Sequence, residues 1–163
     1  MKTLVIIRHA KSSWAEPEMD DFDRPLNEKG LRDAPLMAEL LLKKNVTPDL
    51  IISSPANRAK TTSQTFAKIL SYDKEIDFQE GIYHSGSTFF RNELKNYSDD
   101  YDTIFAFGHN PDFTYLVSFF SGQQIGNLPT CGMVCIDFEI ESWKNVNDIN
   151  GKMRFFEYPK KEN

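Results

Sequence analysis

The stretch Thr3-Leu4-Val5-Ile6-Ile7-Arg8-His9-Ala10-Lys11-Ser12-Ser13-Trp14 decides how this chain is read. Its first part is a short apolar run, which suits a strand covered on both faces of a parallel sheet. The run stops at Arg8-His9, so a guanidinium and an imidazole stand at the carboxyl end of a buried strand. In an open parallel sheet such ends lie along one edge, and ligands bind where the strand order reverses.

Outward from there, strand-like and helix-like segments alternate, the pattern of a sheet covered by helices. Leu31, Ala34, Met37, Ala38 and Leu41 recur at helical spacing, with Pro35 expected to start or kink that helix. Asp49–Ser53 reads as a buried strand, and Ser54-Pro55 as an N-cap followed by proline at the first helical position. The helix it opens should run to about Leu70, burying Ala59, Thr62, Phe66, Ile69 and Leu70. Ile76–Phe78 reads as a short strand, Ser87–Asn96 as a helix carrying Phe89, Phe90 and Leu94, and Asp102–Phe107 as a strand. Asn110-Pro111 repeats the cap-plus-proline start, for a helix to about Phe120. Met133–Ile140 alternates through Val134, Ile136, Phe138 and Ile140, and Lys152–Tyr158 returns beside it after a turn at Asn147–Gly151. The expected architecture is α/β: a three-layer fold with a mostly parallel central sheet, helices on both faces and a C-terminal antiparallel edge hairpin. Lys160–Asn163 should fray.

The 163 residues fit a single domain, 1–163, and the 40% apolar and 13% aromatic content supports a real core. A formal charge of −5 argues against a general nucleic-acid surface, which needs a basic face. No apolar run reaches the ~18 residues of a membrane span, and Leu4–Ile7 is too short for a signal-peptide core. A soluble, cytoplasmic protein that engages neither nucleic acid nor membrane is therefore expected. Cys131 and Cys135 read as free thiols, because one C-x-x-x-C pair is neither a zinc site nor a disulfide framework.

Three strand ends carry polar residues: Arg8-His9, Ser53-Ser54-Pro55 leading to Arg58, and Gly108-His109-Asn110-Pro111. Two arginines and two histidines meeting at the head of a sheet need an anion or a carboxylate partner. Arginine matches phosphate oxygens with planar paired hydrogen bonds, and helix starts at Pro55 and Pro111 would aim N–H groups the same way. A neutral imidazole attacks phosphorus while cationic groups hold the three equatorial oxygens, and this chemistry requires no metal or other cofactor. Lys11 and Ser12 are candidates to touch the ligand from the loop after His9, with Ser13 beside them and Trp14 as a lid or a packing residue. Asp23-Arg24 reads as an ion pair fixing the loop before the first helix.

Arg8-His9-Ala10, Ser53-Ser54-Pro55-x-x-Arg58-Ala59 with Thr61-Thr62, and Gly108-His109-Asn110-Pro111, each after a strand and in this order, resemble the histidine phosphatase superfamily, which includes the phosphoglycerate mutases. The longer Arg8-to-Trp14 stretch, Asp23-Arg24-Pro25-Leu26-Asn27-x-x-Gly30 and the short chain are similar to the SixA-type phosphohistidine phosphatases. The likeness runs to about Phe120 and implies a phosphoglycerate mutase-like fold. It implies that His9 is the nucleophile that becomes phosphorylated, while Arg8, Arg58 and His109 bind and polarise the phosphoryl group. The implied activity is hydrolysis through a phosphohistidine enzyme, on a phosphorylated protein carrying phosphohistidine or on a small phosphorylated substrate. A mutase or an inactive phospho-ligand module are the further alternatives. Many members use a mid-chain carboxylic acid as proton donor, and Glu80 is the candidate here, with Asp20, Asp21, Asp23 and His84 behind it.

Other phosphatase chemistries fit worse. Six residues after Cys131 and Cys135 stand Asp137 and Glu141, where a cysteine phosphatase needs arginine. Asp21-x-Asp23 follows no buried strand, there is no G-x₄-G-K-[ST], and three histidines without H-E-x-x-H make a catalytic zinc a poor fit.

Overall fold

A computed structural model describes residues 1–160, so the expected frayed end at Lys160–Asn163 falls largely outside the described residues. Among the described residues six strands form one sheet in the order β3-β2-β4-β1-β5-β6. These are β1 Lys2–Arg8, β2 Leu50–Ser53, β3 Asp77–Phe78, β4 Thr103–Gly108, β5 Met133–Phe138 and β6 Gly151–Glu157. The first four run parallel, and β5 is antiparallel to both β1 and β6, so the C-terminal hairpin forms one edge of the sheet as the sequence predicts, with β1 as its neighbour.

Alternation along β1 sorts the core into two layers. Leu4 and Ile6 face a cluster with Ile104, Phe113, Leu116, Phe120 and Trp143, and Val5 and Ile7 face one with Met37, Leu41, Phe66 and Phe107. Helices α1 Glu28–Lys43 and α2 Asn57–Ile69 cover the second layer; α4 Gly86–Leu94 and α5 Asp112–Ser121 cover the first. Full burial of one such side chain contributes about 1.5–3 kcal/mol, so β1, with Leu4 to Ile7 all at 0% exposure, anchors the sheet. Among the described residues no helix is long and apolar enough to cross a membrane.

Several local expectations are corrected. Helix α1 starts at Glu28, capped by the Asn27 side chain accepting from the Gly30 N–H, and runs through Pro35, which neither starts nor ends it. Leu31, expected in its apolar face, is exposed, and Gly30 and Asp33 are buried instead. Helix α2 starts at Asn57 rather than Pro55; the Ser54 hydroxyl accepts from the Ala56 N–H, ahead of the helix, and also meets His109 Nε2. A short helix α3, Glu80–His84, precedes α4 where no element was expected. The link between β5 and β6 also holds structure: the Trp143 side chain is fully buried, and its indole N–H donates to the Tyr101 carbonyl at 2.7 Å.

Candidate active site

Strand register assembles the site. Arg8 lies opposite Gly108 across the parallel β1–β4 pair, and the His9 N–H donates to the Gly108 carbonyl at 3.0 Å. His9 and His109 therefore leave adjacent strands side by side, with ring centroids 5.2 Å apart. On the other flank Ser53 lies opposite Phe107, and the Ser54 N–H donates to the Phe107 carbonyl, so the first turn of α2 brings Arg58 to the same edge. The C-terminal hairpin holds the β1 end from the opposite side. There the Arg8 N–H donates to the Gly132 carbonyl and the Cys131 N–H to the His9 carbonyl.

His9 is 7% exposed, and its Nδ1 lies 2.7 Å from the Ala10 carbonyl. A carbonyl can only accept, so Nδ1 carries the proton, and in the neutral ring Nε2 keeps its lone pair. Burial, partly offset by that bond and reinforced by His109, Arg58 and Arg8, pushes the His9 pKa down to about 3. Burial and Arg58 likewise push His109 down to about 4, with Asp21 opposing and Arg8 assisting. His109 Nε2 is 2.8 Å from Ser54 Oγ, which also accepts from the Ala56 N–H at 3.2 Å. The serine hydroxyl proton is thus available to Nε2, which leaves the proton of neutral His109 on Nδ1. That Nδ1 is buried and has no hydrogen-bond partner among the described residues.

The cations are arranged around these rings. Arg8 donates from Nη1 to the Leu128 carbonyl at 3.1 Å, while its buried Nε has no partner among the described residues. Burial and then the like charge of Arg58 hold its pKa below the usual value, a repulsion that an anion between the two guanidiniums would relieve. Arg58 donates to the backbone carbonyl of Asp21 at 2.7 Å and to its carboxylate at 2.9 Å. The other carboxylate oxygen of Asp21 accepts from Arg24 at 3.0 Å, and Tyr83 donates its hydroxyl at 2.7 Å to the oxygen that Arg58 binds. Burial raises the Asp21 pKa, but the bonds from Tyr83, Arg24 and Arg58 outweigh it and bring it down to about 2.

The cleft formed in this way has a volume of about 230 Å³. Arg8, His9, Lys11, Ser12, Arg58 and His109 all line it, so the fold brings together the residues singled out from the sequence with one exception. Glu80 starts α3, is exposed and does not line the cleft; Tyr83 from the same helix reaches inward to Asp21 and lies 5.5 Å from the His109 ring. Asp20, Asp23 and His84 are exposed as well.

Trp14, Arg24, Asn110 and Thr130 complete the lining. Arg24 pairs with Asp21 rather than with its neighbour Asp23. It donates to Ser12 Oγ and the Ser13 carbonyl, and it stacks on the Trp14 ring at 3.2 Å. Its reach into the cleft had no marker beyond the Asp-Arg-Pro-Leu run, since pairing across a loop is invisible to local spacing. The start of α5 does not aim free N–H groups at the cleft: Phe113 donates to the His109 carbonyl and Thr114 to Asn110 Oδ1. Cys131 and Cys135 are free and buried. Burial, the largest cause for each, pushes both thiols well above their ordinary range. Among the described residues no cluster of three His, Cys, Asp or Glu side chains is placed to hold a metal ion.

Comparison with known proteins agrees with this geometry. An uncharacterized chloroplastic protein of Arabidopsis thaliana is 30% identical over 92% of this chain and 72% of its own length. An uncharacterized protein of Mycobacterium tuberculosis is 30% identical over 64% of the chain and 63% of its own length. Among solved structures, a candidate SixA phosphohistidine phosphatase from Agrobacterium tumefaciens superposes with a TM-score of 0.83, at 26% identity, over 97% of this chain and 98% of that one. A tungstate complex of the protein histidine phosphatase SixA shares the fold with a TM-score of 0.75, at 18% identity, over 94% of this chain and 95% of that one. The family profile described as histidine phosphatase superfamily (branch 1) matches residues 4–114, from inside β1 to the first turn of α5. That span holds all three strand ends at which the two imidazoles and two arginines meet, and the chain belongs to the histidine phosphatase superfamily.

Proposed function

We propose that the protein is a phosphatase that removes phosphoryl groups from phosphohistidine on other proteins, through a phosphorylated His9. One observation carries the reading: the His9 Nδ1 bond to the Ala10 carbonyl, in a ring kept neutral by its surroundings, leaves Nε2 as a free nucleophile beside Arg8, Arg58 and His109. The guanidiniums of Arg8 and Arg58, which line the cleft, supply donors for phosphoryl oxygens. Charge spread over those oxygens in the transition state is offset by the surrounding cations.

In the first step His9 Nε2 attacks phosphorus as the P–N bond to the substrate imidazole breaks. The substrate ring enters protonated on its other nitrogen, takes the P–N bonding pair onto the released nitrogen and departs as neutral imidazole. In the second step water attacks the phosphorus, the Nε2–P bond breaks, and the water's proton leaves with the phosphate. A protonated imidazole leaves easily, so the first step needs no strong acid. This agrees with Asp21 being held ionised by its three donors and with Glu80 standing off the cleft.

The test is to turn the protein over with p-nitrophenyl phosphate carrying a radiolabelled phosphoryl group, then quench it. Wild type should retain label that is lost in acid and kept in base, and His9→Ala should retain none. Equal release of p-nitrophenol by wild type and His9→Ala would sink the proposal.

A further inference from the structure

Beside the phosphoryl cleft lies a second, larger depression of about 520 Å³, more than twice the cleft's 230 Å³. One side chain, Asn110, lines both. The larger groove runs between the start of α5 and the 122–128 segment, with Pro111, Tyr115, Ser118, Gln124, Ile125 and Asn127 in its walls. Resting on the reading above, we propose that this groove is the subsite for the polypeptide segment that carries the phosphohistidine.

The lining selects the occupant by charge. Among the described residues none that lines the groove is charged. A small metabolite that carries a carboxylate or a second phosphate would find no counter-ion among the lining residues. A polypeptide brings uncharged amides and apolar side chains, and the groove matches both. Gln124 makes no side-chain hydrogen bond among the described residues and is exposed, so its amide is free for backbone groups. Tyr115, 46% exposed, and Ile125 offer apolar surface. The volume is that of a site for a body larger than a phosphoryl group.

The groove is also wired to the cleft. Asn110 donates both amide protons, to Asn127 Oδ1 at 3.0 Å and to the Leu128 carbonyl at 2.9 Å, while its oxygen accepts from the Thr114 N–H and hydroxyl. The Leu128 N–H donates to the Thr114 hydroxyl oxygen at 3.0 Å. The Leu128 carbonyl accepts from Arg8 as well. The segment that walls the groove therefore positions one of the phosphoryl-binding arginines, and Asn110 serves as a saturated partition between the two spaces. Binding energy from a chain lying in the groove, remote from the reacting phosphorus, is used to hold Arg8 in place.

Three substrates test this with the full chain: free phosphohistidine, a short uncharged blocked peptide containing one phosphohistidine, and p-nitrophenyl phosphate. For wild type, kcat/KM should favour the peptide over the free amino acid by about tenfold or more. Tyr115→Ala and the groove-filling Ser118→Trp should each bring that ratio close to one while p-nitrophenyl phosphate turnover stays at the wild-type level. If Ser118→Trp loses p-nitrophenyl phosphate turnover through misfolding, Tyr115→Ala decides, because trimming a half-exposed ring leaves no buried cavity. Parity between peptide and amino acid in wild type, or a peptide preference that survives Tyr115→Ala, overturns the groove assignment while turnover through His9 stands. Absence of any turnover or labelled His9 overturns the proposed function itself, and the subsite falls with it.

Discussion

Two buried imidazoles that stay neutral make the fold acid-sensitive in a way that can be calculated. In the unfolded chain both titrate near the ordinary histidine value of ~6.5. In the folded protein burial holds His9 near 3 and His109 near 4. The folded values lie below the unfolded ones, so as pH falls through 6.5 the unfolded chain takes up protons that the native state refuses. Stability is unaffected above that point, declines as pH drops, and levels off only below the folded values. At pH 5 the linkage relation gives a loss of about 2 kcal/mol for each ring and about 4 kcal/mol for the pair.

The perturbation that isolates this loss is the double variant His9→Gln and His109→Gln, which keeps polar side chains of similar reach but cannot titrate. Urea unfolding followed by far-ultraviolet circular dichroism at pH 7.5 and pH 5.0 supplies the assay. With an m-value of about 2 kcal/mol/M, wild type should lose about 2 M more in midpoint than the double variant on acidification. Saturating inorganic phosphate should shrink the difference, because an anion between Arg8 and Arg58 raises the native pKa values of both rings. If wild type and double variant lose the same midpoint, the imidazoles are protonated in the native state. The argument for a neutral His9 nucleophile then fails with the stability argument.

Three further outcomes follow from named contacts. Asp21→Asn should raise KM for p-nitrophenyl phosphate, by about tenfold at most, and leave kcat nearly unchanged, since Asp21 positions Arg58 and Arg24 and remains ionised; a kcat loss of about 100-fold confined to poor leaving groups would make it the proton donor instead. Ser54→Ala strips the partner from His109 Nε2 and the Ala56 N–H in a fully buried position, and should cost about 1–3 kcal/mol in thermal unfolding with a fall in kcat. Gly30→Ala would drive a Cβ into the backbone carbonyl of Lys11, so it should destabilise by about 1–3 kcal/mol and raise KM as the Lys11–Ser12 backbone shifts; unchanged melting and KM would show that this close approach is dispensable.

How far the chain could be read in advance varies with the range of the forces involved. The apolar run before Arg8 was legible because burial on both faces leaves no alternation to interpret, and β1 spans Lys2–Arg8 accordingly. Helix starts were less legible. Ser54 looks like the cap of a helix starting at Pro55, yet its hydroxyl oxygen accepts from the Ala56 N–H and its hydroxyl also meets His109, a residue fifty-five positions away, while α2 begins at Asn57. Leu31 fits the α1 periodicity but faces water, because the tight approach to Lys11 turns Gly30 inward. Asp21 sits in a polar loop, where the sequence offers it only as one of several candidate proton donors. Only folding gives it Arg24, Arg58 and Tyr83 as simultaneous donors.

By itself the sequence determined the α/β class, the strand ends that bear chemistry and the identity of the four groups that meet there. Hydrophobic burial acts on short segments, and the residue types at a strand end are local facts. Tertiary structure decided the rest. The parallel register of β1 with β4 sets His9 beside His109, and the loops after β1 and α5 supply Asp21, which holds Arg58 and Arg24, and the Leu128 carbonyl, which holds Arg8. Hydrogen bonds and buried charges depend on which distant groups arrive within 3 Å, a distance that spacing along the chain does not encode.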